Sequence, residues 1–563
     1  MTRLSVPFER LIADMTAGGD DAGMVHDEDI VVVGSGYGAA MAALRLAGAR
    51  DREGRSLSLT VLERGREYLA GEFPEDEGML PRHIRIAGGA RRHEGALHLD
   101  LWVELNPYET SPQTGCTLRP ATPVRTRVPD DAHGARYFTV SVPHLPAHGP
   151  FHLHIVRNGE DIGPARVPHP HHESQDMSTL DIAGKPWFRR LAGSMPLSAL
   201  RFAVGSCRYP AQFMDRERSD SAHSGLLRHV DGHAGLEGLD LVFMVGDQIY
   251  ADATAGIADS ADWRERYVER YRAAFGSEAF AALGRSVPVH FAIDDHEIGD
   301  DWSGHPAGTD APLAAHGVRA ARLYQGSPAA TGSSMAYALP HDSEVAFPVF
   351  VMDARTQRSY RDRRTLRSAH MMDTGQQRAL CDWLIAVRAR PGPKFIVGSV
   401  VIAPLDRRAG DGHPVMLCDG RSWTEDGWCG YPATLRWLIE EIVRQDVRHV
   451  VFVGGDLHLS AVAELELHAL GRTVRATQIV SSGLYAPLPF AGMQREEVQD
   501  VACIEMDPST RVDYRARAFR HGDRNFVRVD AEPGGPGHWV VTARCCDHEG
   551  AITDRHTVHL SDT

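Results

Sequence analysis

Four short apolar runs in the middle of the chain each end in residues that can bind metal ions. They are FAVGSC (Phe202 to Cys207), VFMVGDQIYAD (Val242 to Asp252), VHFAIDDHE (Val289 to Glu297) and VVFVGGDLHLS (Val450 to Ser460). A continuous apolar run of this length predicts a buried parallel strand. In open α/β sheets, ligands bind at the carboxyl ends of such strands. We therefore expect the four polar tails to meet in one cleft, although they span half of the chain.

Strands alternate with helical stretches from Leu200 to about Leu488, which predicts a layered α/β domain. The other predicted elements are helices at Trp263 to Phe275, Thr374 to Ala389 and Pro432 to Asp446, and strands at Ala346 to Arg355 and Lys394 to Ile402. The C-terminal stretch HWVVTARCCDHEGAITDRHTVHL predicts a hairpin that closes this domain.

A different pattern precedes this domain. Between Leu97 and about Pro170, apolar and polar residues alternate in runs broken by Pro and Gly, as in LHLDLWVEL and FHLHIVRNGEDIG. Such alternation with turn residues is typical of antiparallel strands, so we predict a small β-sandwich. The composition changes at Gly88 to Ala96, which we interpret as a junction.

The N-terminal stretch DIVVVGSGYGAA predicts a strand, a glycine turn and a helix, and LSLTVLERG follows as a second strand. Gly34, Gly36 and Ala39 fit the G-x-G-x-x-A pattern of dinucleotide folds. Glu63, at the end of the second strand, is placed to bind a ribose hydroxyl. We therefore predict a partial Rossmann-like βαβ segment, with an ordinary strand–turn–helix as the alternative.

Charge and composition narrow the class of partner. The chain has 563 residues and a net charge of -15, and no sustained Lys/Arg run offsets it, which argues against a nucleic-acid or anionic-membrane partner. No apolar run approaches the roughly 18 residues of a membrane span, and the first residues lack the apolar core of a secretory signal. The eight cysteines include no CxxC pair, so free thiols are predicted. We expect a cytoplasmic protein.

The polar tails bring together several kinds of metal ligand. The residues are Cys207, Asp247, Tyr250, Asp294, Asp295, His296, Asp456 and His458. Carboxylate, imidazole, thiolate and phenolate at one rim indicate a site for more than one ion, and thiolate with phenolate favours trivalent iron or a softer divalent ion over magnesium. One residue separates Asp456 from His458, so on an extended segment both side chains would point the same way. Taken alone, Asp247 is also typical of a turn-capping residue.

These motifs, in this order, resemble those of the PhoD-like alkaline phosphatases of the calcineurin-like metallophosphoesterase superfamily. The similarity runs over about residues 97 to 500 and includes GSC, GDQIYAD, DDHE, DAR at Asp353 to Arg355, DGWCGYPA and GGDLHLS. It implies hydrolysis of a small phosphoester by a metal-activated water. With the N-terminal segment, we predict three domains: a dinucleotide-binding segment at 1–90, a β-sandwich at 97–175 and a metallophosphatase domain at 195–563.

The resemblance also implies roles for single residues. It places iron at Cys207, Asp247 and Tyr250, with calcium or another divalent ion such as Mn or Zn opposite. The other implied ligands are Asp295, in the position of Asn in the superfamily motif GNHE, with Asp456 and His458. His296 matches the histidine that faces the leaving group. Arg355 and Arg208 are predicted to clamp phosphate oxygens bidentately, with purely structural arginines as the alternative.

Residues 28 to 75 resemble the FAD-binding start of the glucose–methanol–choline oxidoreductases, especially the cholesterol oxidases. The resemblance implies FAD at Gly34, Gly36, Ala39 and Glu63. It leaves two alternatives to a phosphoesterase, namely a FAD-dependent oxidoreductase and a non-catalytic fragment of a fusion of the two. A dinucleotide fold binds its cofactor across two βαβαβ halves, and barely one half is present here. We therefore expect residues 1–90 not to hold FAD tightly.

Overall fold

The structure is a computed structural model in which the chain forms two compact units, residues 1–77 and 78–563. It describes residues 30–33, 46, 50, 54–57, 59–62, 81–88, 91–93, 96–105, 114–119, 125–127, 136–147, 151–157, 160–164, 167–169, 172–175, 179–193, 197–209, 216–251, 263–304, 311–327, 329–330, 332–339, 346–362, 364–404, 415–417, 426–486, 498–521 and 524–561. Within these ranges, no helix has both the length and the apolar character needed to cross a membrane.

The described part of the first unit contains two parallel strands, β1 (Ile30–Val33) and β2 (Leu59–Leu62). Parallel pairing of two strands separated by a long connection agrees with the strand positions of the predicted βαβ segment. The four residues predicted to bind the dinucleotide lie outside the described residues: Gly34, Gly36, Ala39 and Glu63. The cofactor assignment for this segment therefore stays a prediction.

The second unit begins with a group of antiparallel strands. They are β3 (Pro81–Ile86), β4 (Arg91–His93), β5 (Ala96–Leu105), β6 (Thr114–Arg119), β7 (Arg125–Arg127), β8 (Arg136–Leu145), β9 (Phe151–Arg157), β10 (Glu160–Pro164), β11 (Val167–His169), β12 (His172–Gln175) and β13 (Thr179–Leu180). One sheet has the order β3-β5-β8-β7 with β4 also on β5, a second groups β6, β10 and β13 around β9, and β11 pairs with β12. The predicted junction at Gly88 to Ala96 thus lies inside a sheet, between β3 and β5.

The first of these sheets packs directly on the rest of the second unit. The Trp102 indole donates a hydrogen bond to the Leu323 carbonyl at 2.9 Å, and Arg272 pairs with Glu104 at 2.6 Å. Leu101 and Val103, which point to the opposite face of β5 from Trp102 and Glu104, are also buried, so both faces of the strand are covered. The apolar side chains of β5 belong to one core with residues as distant in sequence as Cys546. These strands and the α/β elements that follow are stabilised by the same buried surface.

The remaining elements alternate between helices and strands. The helices are α1 (Pro186–Ala192), α2 (Arg216–Val230), α3 (Trp263–Phe275), α4 (Glu278–Ser286), α5 (Ala311–Gln325), α6 (Thr374–Val387) and α7 (Pro432–Arg444), with a 3₁₀ turn at Trp428–Gly430. The strands are β14 (Leu200–Gly205), β15 (Leu241–Val245), β16 (Val289–Ala292), β17 (Tyr337–Leu339), β18 (Val349–Val351), β19 (Lys394–Val397), β20 (Val415–Leu417), β21 (Val450–Gly454), β22 (Leu459–Ala469), β23 (Arg472–Val480), β24 (Val501–Asp507), β25 (Thr510–His521), β26 (Asn525–Gly535), β27 (His538–Asp547) and β28 (Ile552–Ser561).

Two mixed sheets lie in the second unit. The first has the order β16-β15-β14-β26-β27-β28, and the second β17-β18-β19-β21-β23-β22-β25-β24-β20. Strands β14 to β16 are parallel, as are β18, β19, β21 and β23. The mixed α/β class expected from the sequence is confirmed, and β27 and β28 form the predicted C-terminal hairpin.

The two mixed sheets share an apolar core. Phe202 on β14 lies edge-to-face against Phe395 on β19, with ring centroids 5.1 Å apart. Alternate residues of both sheets fill the space between them, including Val204, Val245, Val351, Val397, Val453 and Ile479. This core holds the carboxyl ends of β14, β15 and β16 and that of β21 at one edge, where the predicted metal ligands begin.

Candidate metal centre

The backbone turns sharply where the strands end. Gly246, which follows β15, has φ +100°, and the next residue, Asp247, has φ +52°. Cys207, Asp456 and His458 also have positive φ values, between +53° and +69°. L-residues other than Gly, Asn and Asp rarely adopt this region, and such residues concentrate at functional sites. The turns bring side chains from three strands to one place.

A thiol, a carboxylate, a phenol and an imidazole form the first side of the site. Cys207 Sγ lies 3.3 Å from Asp247 Oδ2, and Tyr250 Oη lies 3.4 Å from the same oxygen. Tyr250 Oη is also 3.4 Å from His458 Nε2. Ser482 donates a hydrogen bond to Cys207 Sγ at 2.9 Å, a contact that the sequence did not indicate. The donor atoms of Cys207, Asp247 and His458 all lie within 4.8 Å of one another.

Asp247 is also part of two further groups of potential ligands. One contains Asp294 and Asp456, and the other contains Asp295 and His296, again with donor atoms within 4.8 Å of one another. The sequence placed Asp295 among the ligands, and the structure brings both members of the Asp294–Asp295 pair to Asp247. A carboxylate shared by three groups has the position of a bridge between two ions.

The carboxylates of this site are buried and close together, as expected where cations bind. Asp247 Oδ1, Asp294 Oδ2 and Asp295 Oδ1 are buried and have no hydrogen-bond partner in the described structure. Burial, followed by the charges of Cys207 and Asp295, raises the pKa of Asp247 well above its usual value. Burial likewise raises the pKa of Asp294 to about 8, although Arg355 opposes the shift. Bound cations would supply the missing partners of these oxygens and favour the ionised carboxylates.

Glu297 organises the backbone of the site. Its carboxylate accepts hydrogen bonds from the backbone N–H groups of Asp247 at 3.0 Å, Gln248 at 2.6 Å and Asp294 at 3.0 Å. The side chain of Gln325 on α5 donates a fourth bond at 2.8 Å. Glu297 is fully buried, and these bonds fix the turn after β15 to the segment after β16.

Arg355 is surrounded by carboxylates. Its guanidinium pairs with Asp294, binds Asp426 through two bonds of 2.8 and 2.5 Å, and lies 3.7 Å from Asp295. Burial alone would lower the pKa of Arg355, but these carboxylates raise it well above its usual value. Asp426 also accepts a bond from Arg358 at 2.8 Å. Asp426 was not among the site residues predicted from the sequence, although Asp426 is the first residue of the DGWCGYPA segment.

Arg208 follows Cys207, but its guanidinium is held by helices. It pairs with Asp220 on α2 at 3.0 Å, donates to Ser277 at the start of α4 at 2.8 Å, and donates to the Ala274 carbonyl at 2.5 Å. These contacts indicate that Arg208 anchors the turn that carries Cys207. Its predicted phosphate contact stays a prediction.

His296 lies at the more open side of the centre. Its ring packs on Tyr250 with centroids 4.0 Å apart, and the ring of Tyr209 packs on Tyr250 at 5.1 Å. The side chain of His296 is 17% exposed, and Nε2 lies 3.8 Å from Asp300. A histidine that is both near the carboxylates and partly open to solvent is suitable for proton transfer with a bound molecule.

Comparison with known proteins identifies the family. The family model for "PhoD-like phosphatase" matches residues 202–532, which is more than half of the chain. The chain belongs to the PhoD-like phosphatase family. A solved structure described as "Structure of PhoD" aligns with a TM-score of 0.50 at 14% sequence identity, covering 86% of this chain and 93% of that chain, which shows a similar fold. The search of curated proteins gives no match.

Family membership makes this chain a metal-dependent phosphoesterase, and the donor groups around Asp247 fit that dependence. The family match begins at residue 202 and does not reach the N-terminal segment, so the resemblance to FAD enzymes gains no support from it.

Proposed function

We propose that this protein hydrolyses small phosphoesters with water at a site of at least two metal ions. The observation that carries the proposal is the position of Asp247, whose carboxylate belongs to three adjoining groups of ligands. Two of its neighbours, Asp294 and Asp295, each contribute a buried oxygen that has no hydrogen-bond partner among the described residues. Such a concentration of buried acidic groups is costly unless cations neutralise it.

The donor types differ between the two sides, and so do the ions we propose. Cys207 offers a thiolate, His458 an imidazole nitrogen, and Tyr250 and Asp247 oxygen ligands, a mixture that suits iron or a similar ion. Asp294, Asp295 and Asp456 offer only oxygen, which suits calcium or another divalent ion such as manganese or zinc. When bound, the ions would lower the pKa of a water molecule and neutralise phosphoryl oxygens.

The protein's own side chains then have separate tasks. His296 is placed to donate a proton to the departing alkoxide, because it is near the carboxylates and partly exposed. Arg355 holds Asp294 in place through their ion pair, and its contacts with Asp426 favour this positioning role over a direct clamp on phosphate. A phosphate contact of Arg355 or Arg208 would require a change of these pairings.

The test combines metal content with phosphate release. Wild-type protein should contain at least two metal ions and release nitrophenol from p-nitrophenyl phosphate or bis(p-nitrophenyl) phosphate; the ratio of the two rates shows the monoester or diester preference. Asp247→Asn should lose metal and reduce turnover by roughly 100-fold or more, since it removes charge at the reacting centre. Asp446→Asn, which changes a surface carboxylate paired with Arg472, is the control. Active wild-type protein without metal would refute the proposal.

The same preparation tests the alternatives. Stoichiometric flavin absorbance would favour an oxidoreductase and would contradict the expectation that residues 1–90 do not hold FAD tightly. Failure to release phosphate with any added metal would favour a non-catalytic fragment.

A further inference from the structure

A second set of metal-binding side chains lies at the opposite end of β22. Glu466 and His468 are on β22, Asp513 is on β25 and Cys503 is on β24. Glu466 pairs in register with Asp513, which pairs with Cys503 on its other side. These three residues therefore form one row across adjacent strands, and their side chains share a face of the sheet with His468, two residues from Glu466.

The polar atoms of His468, Asp513 and Glu466 are already close together. His468 Nε2 lies 2.9 Å from Asp513 Oδ2 and 3.9 Å from Glu466 Oε2. The donor atoms of Glu466, His468 and Asp513 all lie within 4.8 Å of one another. Small rotations of side chains that are partly exposed would bring them to the distances of about 2.0–2.2 Å at which zinc binds imidazole nitrogen and carboxylate oxygen.

A neighbouring residue orients the imidazole. Thr473 Oγ1 lies 2.8 Å from His468 Nδ1 and fixes the ring. In the tautomer that carries the proton on Nδ1, this nitrogen donates to Thr473 and the lone pair of Nε2 faces the two carboxylates, which is the form that binds a metal ion. Nε2 is shielded from solvent and has no partner with hydrogen-bond geometry among the described residues, despite its short distance to Asp513. A fixed second nitrogen of this kind is typical of metal-binding histidines.

The present partners of the carboxylates are weak competitors. Arg511 lies 3.3 Å from Asp513, and Arg475, whose side chain is 89% exposed, lies 3.6 Å from Glu466. Exposed ion pairs of this type contribute only about 0–1 kcal/mol. A divalent ion held by several ligands would displace both arginines, which can extend into solvent.

We propose that Cys503, Asp513, Glu466 and His468 form a binding site for one zinc-type divalent ion. Zinc binds thiolate, imidazole and carboxylate groups, and these four residues supply the four ligands of a tetrahedral site. Binding breaks the S–H bond of Cys503, releases its proton to solvent and forms a zinc–sulfur bond, with no change of oxidation state. The site borders a groove of about 840 Å³ lined by Glu466, Asp513 and Val501, which gives an ion access from solvent.

This site is separate from the catalytic centre and does not depend on the proposed function. His458, at the catalytic rim, and His468 are ten residues apart along β22, which corresponds to about 30 Å in a strand. Zinc bound at His468 therefore should not contact the phosphoester or its ions. Loss of this zinc should leave phosphate release within about twofold of wild type, since surface changes away from a site usually have little effect.

The experiment titrates Zn²⁺ into the full-length protein with its catalytic ions in place and counts bound zinc after desalting. Wild-type protein should bind one zinc more than His468→Ala or Cys503→Ser. His556→Ala is the matched control, because His556 forms a surface pair with Glu464 at 3.3 Å without belonging to a described group of three ligands. The control should bind the same zinc as wild type.

A conservative change separates binding from folding. Thr473→Val removes only the hydrogen bond to His468 Nδ1 and should weaken zinc affinity by about 10- to 100-fold. Circular dichroism and thermal melting without zinc should be similar for all variants. Equal zinc content in wild type, His468→Ala and Cys503→Ser would overturn the proposal, as would an equal loss in the His556→Ala control.

Discussion

At the scale of single residues, the catalytic centre concentrates unfavourable features. Cys207, Asp247, Asp456 and His458 have left-handed backbone, which costs about 1–2 kcal/mol for a typical L-residue. Burial and neighbouring acidic groups also raise the pKa values of two carboxyl groups, those of the buried Asp247 and the half-buried Asp456. The hydrogen bonds of Glu297 offset part of this cost. Bound cations would offset more, so we expect the metal-loaded protein to be the more stable form.

Replacement of His296 tests proton donation at this scale. His296→Ala should keep the bound metal and slow turnover by roughly 10²–10⁴-fold if the ring is a general acid. The effect should be larger for an alkyl phosphate than for a nitrophenyl phosphate, because the nitrophenolate departs without a proton. Steady-state rates with both substrates measure this difference. Asp300→Asn, which changes only the exposed partner of His296, should have little effect; equal slowing with both substrates would contradict the proposed role.

The residues of the site were partly predictable. Cys207, Asp247 and Tyr250 follow apolar runs, so strand topology alone predicts that they come together. The interpretation of Asp456 and His458 as an extended pair was wrong, since both have positive φ, which hydrophobic patterns do not encode. Asp426 follows no apolar run, and its ion pairs with Arg355 and Arg358 bring it to the centre.

At the scale of elements, the turn after β15 decides the geometry of the site. Gly246 has φ +100°, and a Cβ atom there would lie 2.3 Å from the Cβ of Asp294 and 3.1 Å from that of Ser399. A glycine is therefore required both by conformation and by space. The turn places Asp247 between the segments that follow β14 and β16.

Gly246→Ala should therefore lower stability and remove metal together. Gly471, in the turn between β22 and β23, is the matched control, because it has φ +69° but a Cβ atom added there would meet no described atom within 4 Å. Gly471→Ala should lower the free energy of unfolding only by the cost of a left-handed backbone at alanine, about 1 kcal/mol. It should keep its activity. Urea unfolding and metal analysis of both variants measure the difference. Similar losses in the two variants would show that crowding at Gly246 is unimportant.

Most elements of the α/β part could be predicted, because their hydrophobic periods are clear. Helix α3 has the predicted bounds, and α6 and α7 end two residues earlier than predicted. Strand β18 is shorter than the predicted strand at Ala346 to Arg355, since only Val349–Val351 pairs with β19. The place of β3 could not be inferred, because PRHIRI shows no long alternation and is positioned by pairing with β5.

At the scale of the whole molecule, strands β3, β5, β8, β9 and β13 share one core with the α/β elements. Ile84 and Ile86 of β3 are completely buried, and the neighbouring Arg85 is only 1% exposed. The Arg85 guanidinium packs on the ring of Trp102 at 4.3 Å. The N-terminal strands of this unit are thus part of the stable body that contains the catalytic centre.

Two truncations distinguish the unit boundary from the predicted domain boundary. Removal of residues 1–77 should leave phosphate release largely intact. Removal of residues 1–90 also deletes β3, and each fully buried apolar side chain lost costs about 1.5–3 kcal/mol, so this variant should unfold or aggregate. Soluble yield, melting temperature and activity of the two proteins are the measurements. Full activity after removal of residues 1–90 would show that β3 is dispensable.

Buried neutral histidines predict sensitivity to acid. Burial lowers the pKa of His229 to about 4, and the ring contacts the Gly550 carbonyl at 2.9 Å and Arg528 at 3.3 Å. Because its pKa in the unfolded chain is about 6.5, its contribution to stability is complete above that pH and is lost as pH falls toward 4. The free energy of unfolding should fall less between pH 7.5 and 5 in His229→Gln than in wild type. An equal fall of the free energy of unfolding with pH in the two proteins would exclude a contribution from His229.

The strand that leads to Cys207 has one further consequence, for synthesis of the protein in the cell. Strand β14 pairs on one side with β15 and on the other with β26, where Leu200 is opposite Ala531 and Val204 is opposite Val527. A ribosome must therefore add more than 300 residues before β14 has both neighbours. Until then, the nascent chain carries an unpaired strand edge, a form that is prone to aggregation. We expect the metal centre to assemble only after β26 has been synthesised, because β26 pairs with the strand that leads to Cys207.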